Sequence, residues 1–431
     1  MRRPRIAGVR RLVASLASVS AAALVTACGS AGPAGTASSG GLTMWALSDQ
    51  TILKQSVDAY NKDHPKEKIT LQLYANDDYK QKLRVAFGAN QAPDIFFSWG
   101  GGALNDYVKA GKVDEITSAD VDTSRFTPSV LKTATFGGKV YGIPANGLAP
   151  VVLYYNKQVL ADAGVQPPKT YDELLAAVVK LKAKGVTPIS LAANSKWPTL
   201  MYVEYLLDRV GGSQVFSKIE SGDRSAWSDP SVTKANQILQ GLVKAGAFGR
   251  NASSVAYDQG ASTALLYTGK AAMEVMGTWE YGNIAKASPA FISGGKLGYT
   301  TFPTISGGAG DPQDIVGNPS NFLSVNAATR HKAEAMTYLK QYVLNASQVD
   351  AYLASGSVPP VNGLESKLST SPDKAWLQFV YGLVQRAPSF QLSWDQDLSS
   401  SQSDLLLTNV DKSFLAQITP EQFGQNMSKA G

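Results

Sequence analysis

Residues 42–98 read LTMWALSDQTILKQSVDAYNKDHPKEKITLQLYANDDYKQKLRVAFGANQAPDIFFS. Leu42 to Ala46 is a short apolar run that predicts a buried strand. Ile52, Leu53, Val57 and Tyr60 then share one face of a helix that Asp49 is placed to cap and that ends before Pro65. The pattern repeats, with a strand over Ile69 to Leu73, a helix over Tyr79 to Phe87 and a strand over Asp94 to Ser98. Strands alternating with helices imply a mainly parallel sheet covered on both faces. In such sheets ligands sit beyond the carboxyl ends of the strands. Trp45-Ala46-Leu47-Ser48-Asp49 and Trp99-Gly100-Gly101-Gly102 both fall there, so each loop sets a tryptophan at the mouth of the sheet.

The alternation continues toward the C-terminus. Val151 to Asn156 predicts a strand, and Thr170-Tyr171-Asp172-Glu173 is a capping box opening a helix that turns Leu174, Leu175, Val178 and Val179 inward. Gly185 and Pro188 stop that helix. Residues 230–247 predict another helix, and Ala272 to Met276 a strand running into Gly277-Thr278-Trp279-Glu280. Leu297 to Phe302 is a strand followed by a glycine-rich loop at 306–310, and Arg330 to Leu344 is an amphipathic helix through Ala335, Met336, Leu339 and Val343. Residues 374–429 are largely helical, interrupted near Pro388 to Asp397.

Working back toward the N-terminus, residues 29–41 (GSAGPAGTASSGG) have the composition of a flexible linker, reaching roughly 20 Å as a coil. Before it, Val25-Thr26-Ala27-Cys28 closes a 16-residue largely apolar run from Leu12 to Ala27, behind Arg2, Arg3, Arg5, Arg10 and Arg11. A basic start, a short apolar stretch and small residues at a cleavage point predict a secretory signal peptide over 1–27. Cys28, the one cysteine, follows small residues in a pattern that resembles the lipobox of bacterial lipoproteins, where the thiol takes the lipid. The expectation is an exported chain held at the outer face of the membrane, by the general or the twin-arginine route.

The formal charge of +6 misleads. Removing the five leader arginines from the 40 basic residues leaves 35 against 34 acidic ones, which argues against a nucleic-acid footprint. With Cys28 spent there is no disulfide and no cysteine metal site, and two histidines, His64 and His331, exclude a histidine-rich zinc site. Neither metal nor cofactor is expected. Phosphate loops, nucleophile elbows and His-Glu-x-x-His are all missing. Asp395-Gln396-Asp397 lacks the glycine and distal glutamate of a calcium loop.

Tryptophan placement carries the positive signal. Trp45, Trp99, Trp197, Trp279 and Trp394 each sit beside small or polar residues at a predicted element end, whereas Trp227 and Trp376 look like ordinary packing. A flat apolar ring beside carboxylates or amides suits a pyranose, with its C–H face and rim of hydroxyls. An unpaired buried hydroxyl costs about 1–3 kcal/mol, so acceptors must lie beside the rings. Asp49, Glu280, Asn318, Asn321 and Asp395 are the candidates, with Gly100 and Asn146 in the loops that would line the same opening.

The ordered set of LTMWALSD at 42–49, Ala92-Pro93-Asp94-Ile95-Phe96, Tyr141-Gly142-Ile143-Pro144, Tyr154-Tyr155-Asn156-Lys157, Pro167-Pro168-Lys169-Thr170-Tyr171-Asp172-Glu173-Leu174, Gly185-Val186-Thr187-Pro188 and Gly269-Lys270-Ala271-Ala272-Met273 running to Gly277-Thr278-Trp279-Glu280 resembles the family 1 extracellular solute-binding proteins of ABC importers. These are carbohydrate-binding lipoproteins related in fold to maltose-binding protein, and the resemblance covers about residues 42–425. It implies an α/β fold of two periplasmic-binding-protein-like lobes (type II), each a mainly parallel sheet flanked by helices, with sugar in the cleft between them and a hinge joining them. Crossings would fall near Asn146 to Pro150, Trp279 to Asn283 and Gly317 to Asn321. The first lobe is then 42–148 plus 281–317, and the second 149–280 plus 318–431. The resemblance makes Trp279 a stacking platform with Glu280 a hydroxyl acceptor, puts Trp45 and Asp49 in the cleft, and makes Asp94 and Tyr155 to Lys157 structural. Trp394-Asp395-Gln396 resembles members that bind short β-linked oligosaccharides such as xylobiose or chitobiose, with the lean toward xylobiose.

The leading expectation is a non-enzymatic, monomeric receptor that delivers an oligosaccharide to ABC permease subunits. Another sugar or small solute, a secreted glycoside hydrolase using two cleft carboxylates, and a sensory or adhesive lipoprotein are the alternatives.

Overall fold

In the computed structural model the described residues are 41–429. The expected leader, Cys28 and all but the last residue of the expected linker lie outside them.

Leu42–Leu47 (β1), Ile69–Tyr74 (β2) and Ile95–Ser98 (β3) form the parallel unit that the opening sequence predicts, β1 pairing in register from Leu42 opposite Ile69 to Leu47 opposite Tyr74. The helices between them, Thr51–Asp63 and Asn76–Gly88, bury Leu53, Val57 and Tyr60, and Tyr79, Leu83 and Phe87. After a small hairpin of Thr135–Phe136 (β4) and Lys139–Val140 (β5), Ile143–Pro144 (β6) joins the same sheet. Its order is completed by Phe322–Val325 (β12) and runs β2-β1-β3-β12-β6. Asp94 locks β1 to β3 and to the loop after β12, its carboxylate accepting from Thr43 N and Oγ1 at 2.8 Å and from Thr329 Oγ1 at 2.6 Å.

The second sheet contains Ala149–Asn156 (β7), Thr187–Ser190 (β8), Ala271–Gly277 (β9), Leu297–Thr300 (β10), Ile315–Asn318 (β11) and Phe390–Leu392 (β13), in the order β13-β11-β7-β9-β8 with β10 also on β7. β9 is buried throughout, as expected of a strand covered on both faces. Asn156 ends β7 by capping the helix Lys157–Asp162, accepting from the amides of Gln158 and Val159. The capping box at Thr170 is present, and its helix runs Tyr171–Ala183.

The fold is the expected two-lobe α/β architecture, with three corrections. The sheets are mixed, not mainly parallel, because β12 pairs antiparallel with β3 and β6, and β7 pairs antiparallel with β9, β10 and β11. The cause is the crossings: a strand that arrives from the other sheet starts at the cleft and runs away from it, whereas its neighbours end there.

Second, the chain crosses at 145–148, from β6 into β7, and at 319–321, from β11 into β12, but not near Trp279 to Asn283. There Trp279 opens the helix Trp279–Ala287, and the next strand, β10, returns to β7. The remaining crossing lies between two later helices. Ala346–Ala354 packs on Thr51–Asp63, whereas Lys374–Arg386 brings Trp376 to within 5.7 Å of Tyr154 on β7. Third, β10 and β11 therefore belong to the second sheet and β12 to the first, so residues 281–317 do not join the first sheet as expected.

Several elements escaped the sequence reading, among them β6, β11, β12, β13 and one long central helix. The helix Trp197–Gly211 buries all twelve residues from Pro198 to Arg209. Thr199, Glu204, Asp208 and Arg209 are buried with its apolar residues, so polarity does not mark an exposed face on it.

Candidate functional site: a cleft at the strand ends

A cavity of about 390 Å³ opens where the strands of both sheets end or begin. Leu47 ends β1 and Ser48 to Gln50 follow it, Trp99 follows β3, Asn146 and Gly147 follow β6, and Trp279 follows β9. Gly317 and Asn318 end β11, Asn321 precedes β12, and Ser393, Asp395 and Gln396 follow β13. The volume lies in the roughly 300–1,000 Å³ range of small-ligand pockets.

Nine of the twelve sequence-predicted ligand residues meet in this wall: Asp49, Trp99, Asn146, Trp197, Trp279, Glu280, Asn318, Asn321 and Asp395. Three do not. Trp45 is still inside β1, opposite Gln72 and Phe96, and its half-buried ring lies edge-on to Tyr74 at 5.1 Å. Gly100, with φ of +79°, turns the chain into the helix Gly101–Lys109, and a Cβ there would meet Thr133 O at 2.7 Å. Trp394 is buried, stacked on Phe216 at 4.5 Å and edge-on to Trp227 at 5.9 Å. The short helix Trp394–Asp397 turns that indole into the core and its neighbours Asp395 and Gln396 into the cleft.

The indoles of Trp197 and Trp279 stand 6.1 Å apart, and Trp197 meets Tyr257 edge-on at 4.7 Å. Tyr257 organises this corner. Its hydroxyl donates to Glu280 Oε2 at 2.7 Å and accepts from Trp279 Nε1 at 2.7 Å and from Asn283 Nδ2 at 3.1 Å. Glu280 is buried; its Oε1 accepts from Thr263 Oγ1 at 2.5 Å and its Oε2 also from Asn283 at 3.2 Å. The carboxylate expected to be an open hydroxyl acceptor is thus already held by three protein donors. Burial pushes it above the ordinary carboxylate range, and those donors oppose the rise.

Asp49 does not cap the helix Thr51–Asp63, whose N-cap residue is Gln50 with no side-chain cap. Its Oδ1 instead accepts from Gln50 Nε2 at 2.8 Å. The Asp49 carboxyl reaches cleft water but is walled in by protein on its other sides. This loss of solvent pushes it up, against the pull of Gln50 and Lys286. Asp258 is raised likewise by burial and then by Asp77. On the opposite wall Lys80 Nζ pairs with Asp395 Oδ2 at 2.9 Å and stands 5.0 Å from the Trp99 ring centroid. Three wall atoms have no protein partner: Trp197 Nε1, Asn318 Oδ1 and Asn321 Oδ1.

Tyr257, Asn283, Thr263, Lys80 and Gln396 are site residues that sequence reasoning missed. Asn283 had a signal, since it lies one helical turn beyond Trp279 and so on the same face. Tyr257 had none, coming from a short turn ahead of the helix Ala261–Tyr267. Among the described residues no group of three His, Cys, Asp or Glu could hold a metal ion, and no helix is long and apolar enough to cross a membrane.

Two α/β lobes around a cleft with indole walls form a site shaped to hold a small molecule. The family model of bacterial extracellular solute-binding proteins matches residues 45–350, and the chain belongs to that family. It is a binding protein and not an enzyme.

An uncharacterized ABC transporter extracellular-binding protein of Pyrococcus horikoshii is 31% identical over 241 residues, 53% of this chain and 53% of its own length. The chain thus spans about half the length of that relative. The diacetylchitobiose binding protein of Streptomyces coelicolor is 26% identical over 309 residues, 70% of this chain and 68% of its own. A structure solved in a study of xylan utilization by the thermophilic bacterium Caldanaerobius polysaccharolyticus superposes with a TM-score of 0.80 at 33% identity, over 90% of this chain and 99% of that one.

Proposed function

We propose that this protein is the exported receptor of an ABC importer for a short oligosaccharide, best a β-linked disaccharide such as xylobiose. The observation that carries the reading is one cleft lined by the indoles of Trp99 on one side and Trp197 and Trp279 on the other, together with unpartnered Trp197 Nε1, Asn318 Oδ1 and Asn321 Oδ1. Indoles receive the C–H face of a pyranose, and orphaned polar atoms at its rim are what sugar hydroxyls satisfy. The diacetylchitobiose for which the Streptomyces relative is named and the xylan setting of the solved structure support it.

In this reading the first lobe is built on β1, β2, β3, β6 and β12, and the second on β7 to β11 and β13. Sugar bridges them and favours the closed arrangement by its higher affinity for it. The closed receptor, a monomer, then presents both lobes to the permease subunits. Cys28 carries the lipid that keeps it at the outer membrane face, and replacing it by serine should move the protein from the membrane fraction to the soluble one. Retention at the membrane would refute the anchor.

The test of the ligand is a thermal shift of the Cys28→Ser protein against xylobiose, chitobiose, cellobiose, maltose and their monomers. A ligand at 100 times its Kd stabilises the folded state by about 2.7 kcal/mol. A shift with one disaccharide, lost in Trp279→Ala, is expected. No shift with any sugar would overturn the carbohydrate reading and leave another small solute.

A further inference from the structure

A second cavity, of about 80 Å³, lies behind the Trp99 end of the cleft, between the helices Asn76–Gly88, Gly101–Lys109 and Ser400–Phe414. Lys80, Trp99, Asp395 and Gln396 stand in the walls of both cavities. The partition is therefore made of side chains, and its centre is the Lys80–Asp395 ion pair with the Lys80 ammonium beside the Trp99 ring. The Lys80 side chain is a quarter exposed, so its ammonium has a route to solvent, whereas Asp395 is only 5% exposed and keeps Gln396 Nε2 as a second donor at 2.7 Å.

Beyond the partition the walls are apolar at Leu83, Phe97, Leu104 and Tyr107. One polar atom there is unexplained: Ser98 Oγ has no partner, and Ser98 is only 5% exposed. Arg84, paired with Asp404 at 2.6 Å, and Ser400 and Ser403 also line it, so the cavity sets apolar surface beside polar groups as the main cleft does.

We infer that Lys80 is a gate that sets the length of saccharide the cleft accepts. This rests on the cleft being a saccharide site. With Lys80 on Asp395 the cleft ends at Trp99. With Lys80 swung out to solvent, the Trp99 face is freed and Asp395 Oδ2 keeps only Gln396 Nε2 as a donor. The second cavity becomes a subsite for one further sugar unit, with Ser98 Oγ as its hydrogen-bond partner.

The experiment uses the full chain carrying Cys28→Ser, alone and with Lys80→Ala or Lys80→Met. Calorimetry with xylo- and chito-oligosaccharides of two to five units gives the ratio of the tetrasaccharide Kd to the disaccharide Kd. Lys80→Ala, which removes both charge and bulk, is expected to lower that ratio at least tenfold, and Lys80→Met, which keeps the stem, to lower it less. A ratio unchanged within twofold in Lys80→Ala overturns the gate.

A sugar-free reading separates this failure from that of the saccharide assignment. Acrylamide quenching of the Trp99 component, taken as the difference from the matching Trp99→Phe protein, should rise at least twofold in Lys80→Ala. Unchanged quenching overturns the gate whether or not any sugar binds.

Discussion

Tyr257 has one hydroxyl hydrogen and three partners, and that ratio fixes its role. Glu280 takes the hydrogen, so the oxygen is left to accept from Trp279 and Asn283, which holds the Trp279 indole by its one polar atom. Tyr257→Phe strips a partner from Trp279 Nε1 and from buried Glu280, and should cost about 1–3 kcal/mol in urea unfolding. Sugar affinity should fall roughly tenfold, or about 1.4 kcal/mol, as the platform loses its orientation. An unchanged Kd in a destabilised variant would mean that the hydroxyl supports the fold and not the platform. At this scale the sequence shows which residues flank strand ends, and so Asp49, Trp99, Asn318 and Trp279 were legible. It does not show which way a side chain turns in a four-residue helix. For that reason Trp394, expected in the cleft, lies in the core, while its neighbour Asp395 lines the cleft.

Among the elements, legibility followed periodicity. The helix Tyr171–Ala183 announces itself by its cap, and Thr170→Ala should cost it about 1 kcal/mol in thermal or urea unfolding. The helix Trp197–Gly211 was missed because its polar residues Glu204, Asp208 and Arg209 are buried with the apolar ones, yet it organises the second lobe. Arg209 on it is buried, paired with Asp208, and donates to the carbonyls of Asp311, Pro312 and Asp314 at 3.1, 3.3 and 2.9 Å. These bonds draw the glycine-rich loop onto the helix so closely that a Cβ at Gly310 would lie 2.1 Å from Asp208 O. Gly310→Ala should therefore destabilise by about 1–3 kcal/mol through overpacking against backbone. A neutral result in urea unfolding would mean that the loop can lift off the helix at little cost. The strand directions were also illegible, since a strand's polarity within its sheet depends on where the chain crosses, and no local pattern records that.

At the scale of the whole molecule the buried carboxyls set a pH dependence of stability. Glu204, on that same central helix, is fully buried, its Oε1 accepting from Ser393 Oγ at 2.8 Å and Trp394 N at 2.7 Å, so it ties the helix to the segment that walls the cleft. Burial pushes it up to about 8, and the charges of Asp395 and Asp397 add to the rise against the Trp394 amide. Asp208 and Asp397 are raised to about 7, each mainly by burial. A carboxyl whose folded pKa exceeds its unfolded value binds more protons in the native state. Its stabilisation is therefore complete below the unfolded pKa and lost as pH rises through the folded one. For Glu204 the window runs from about 4.5 to about 8. Urea-derived stability should fall between pH 5 and 8.5, with Glu204 contributing of order 2–4 kcal/mol. Glu204→Gln keeps an acceptor for Ser393 and Trp394 without a proton to lose. It should flatten the slope and be more stable than the parent at pH 8.5. If parent and variant share one slope, Glu204 ionises over the same pH range folded and unfolded, and the fall belongs to Asp208 and Asp397.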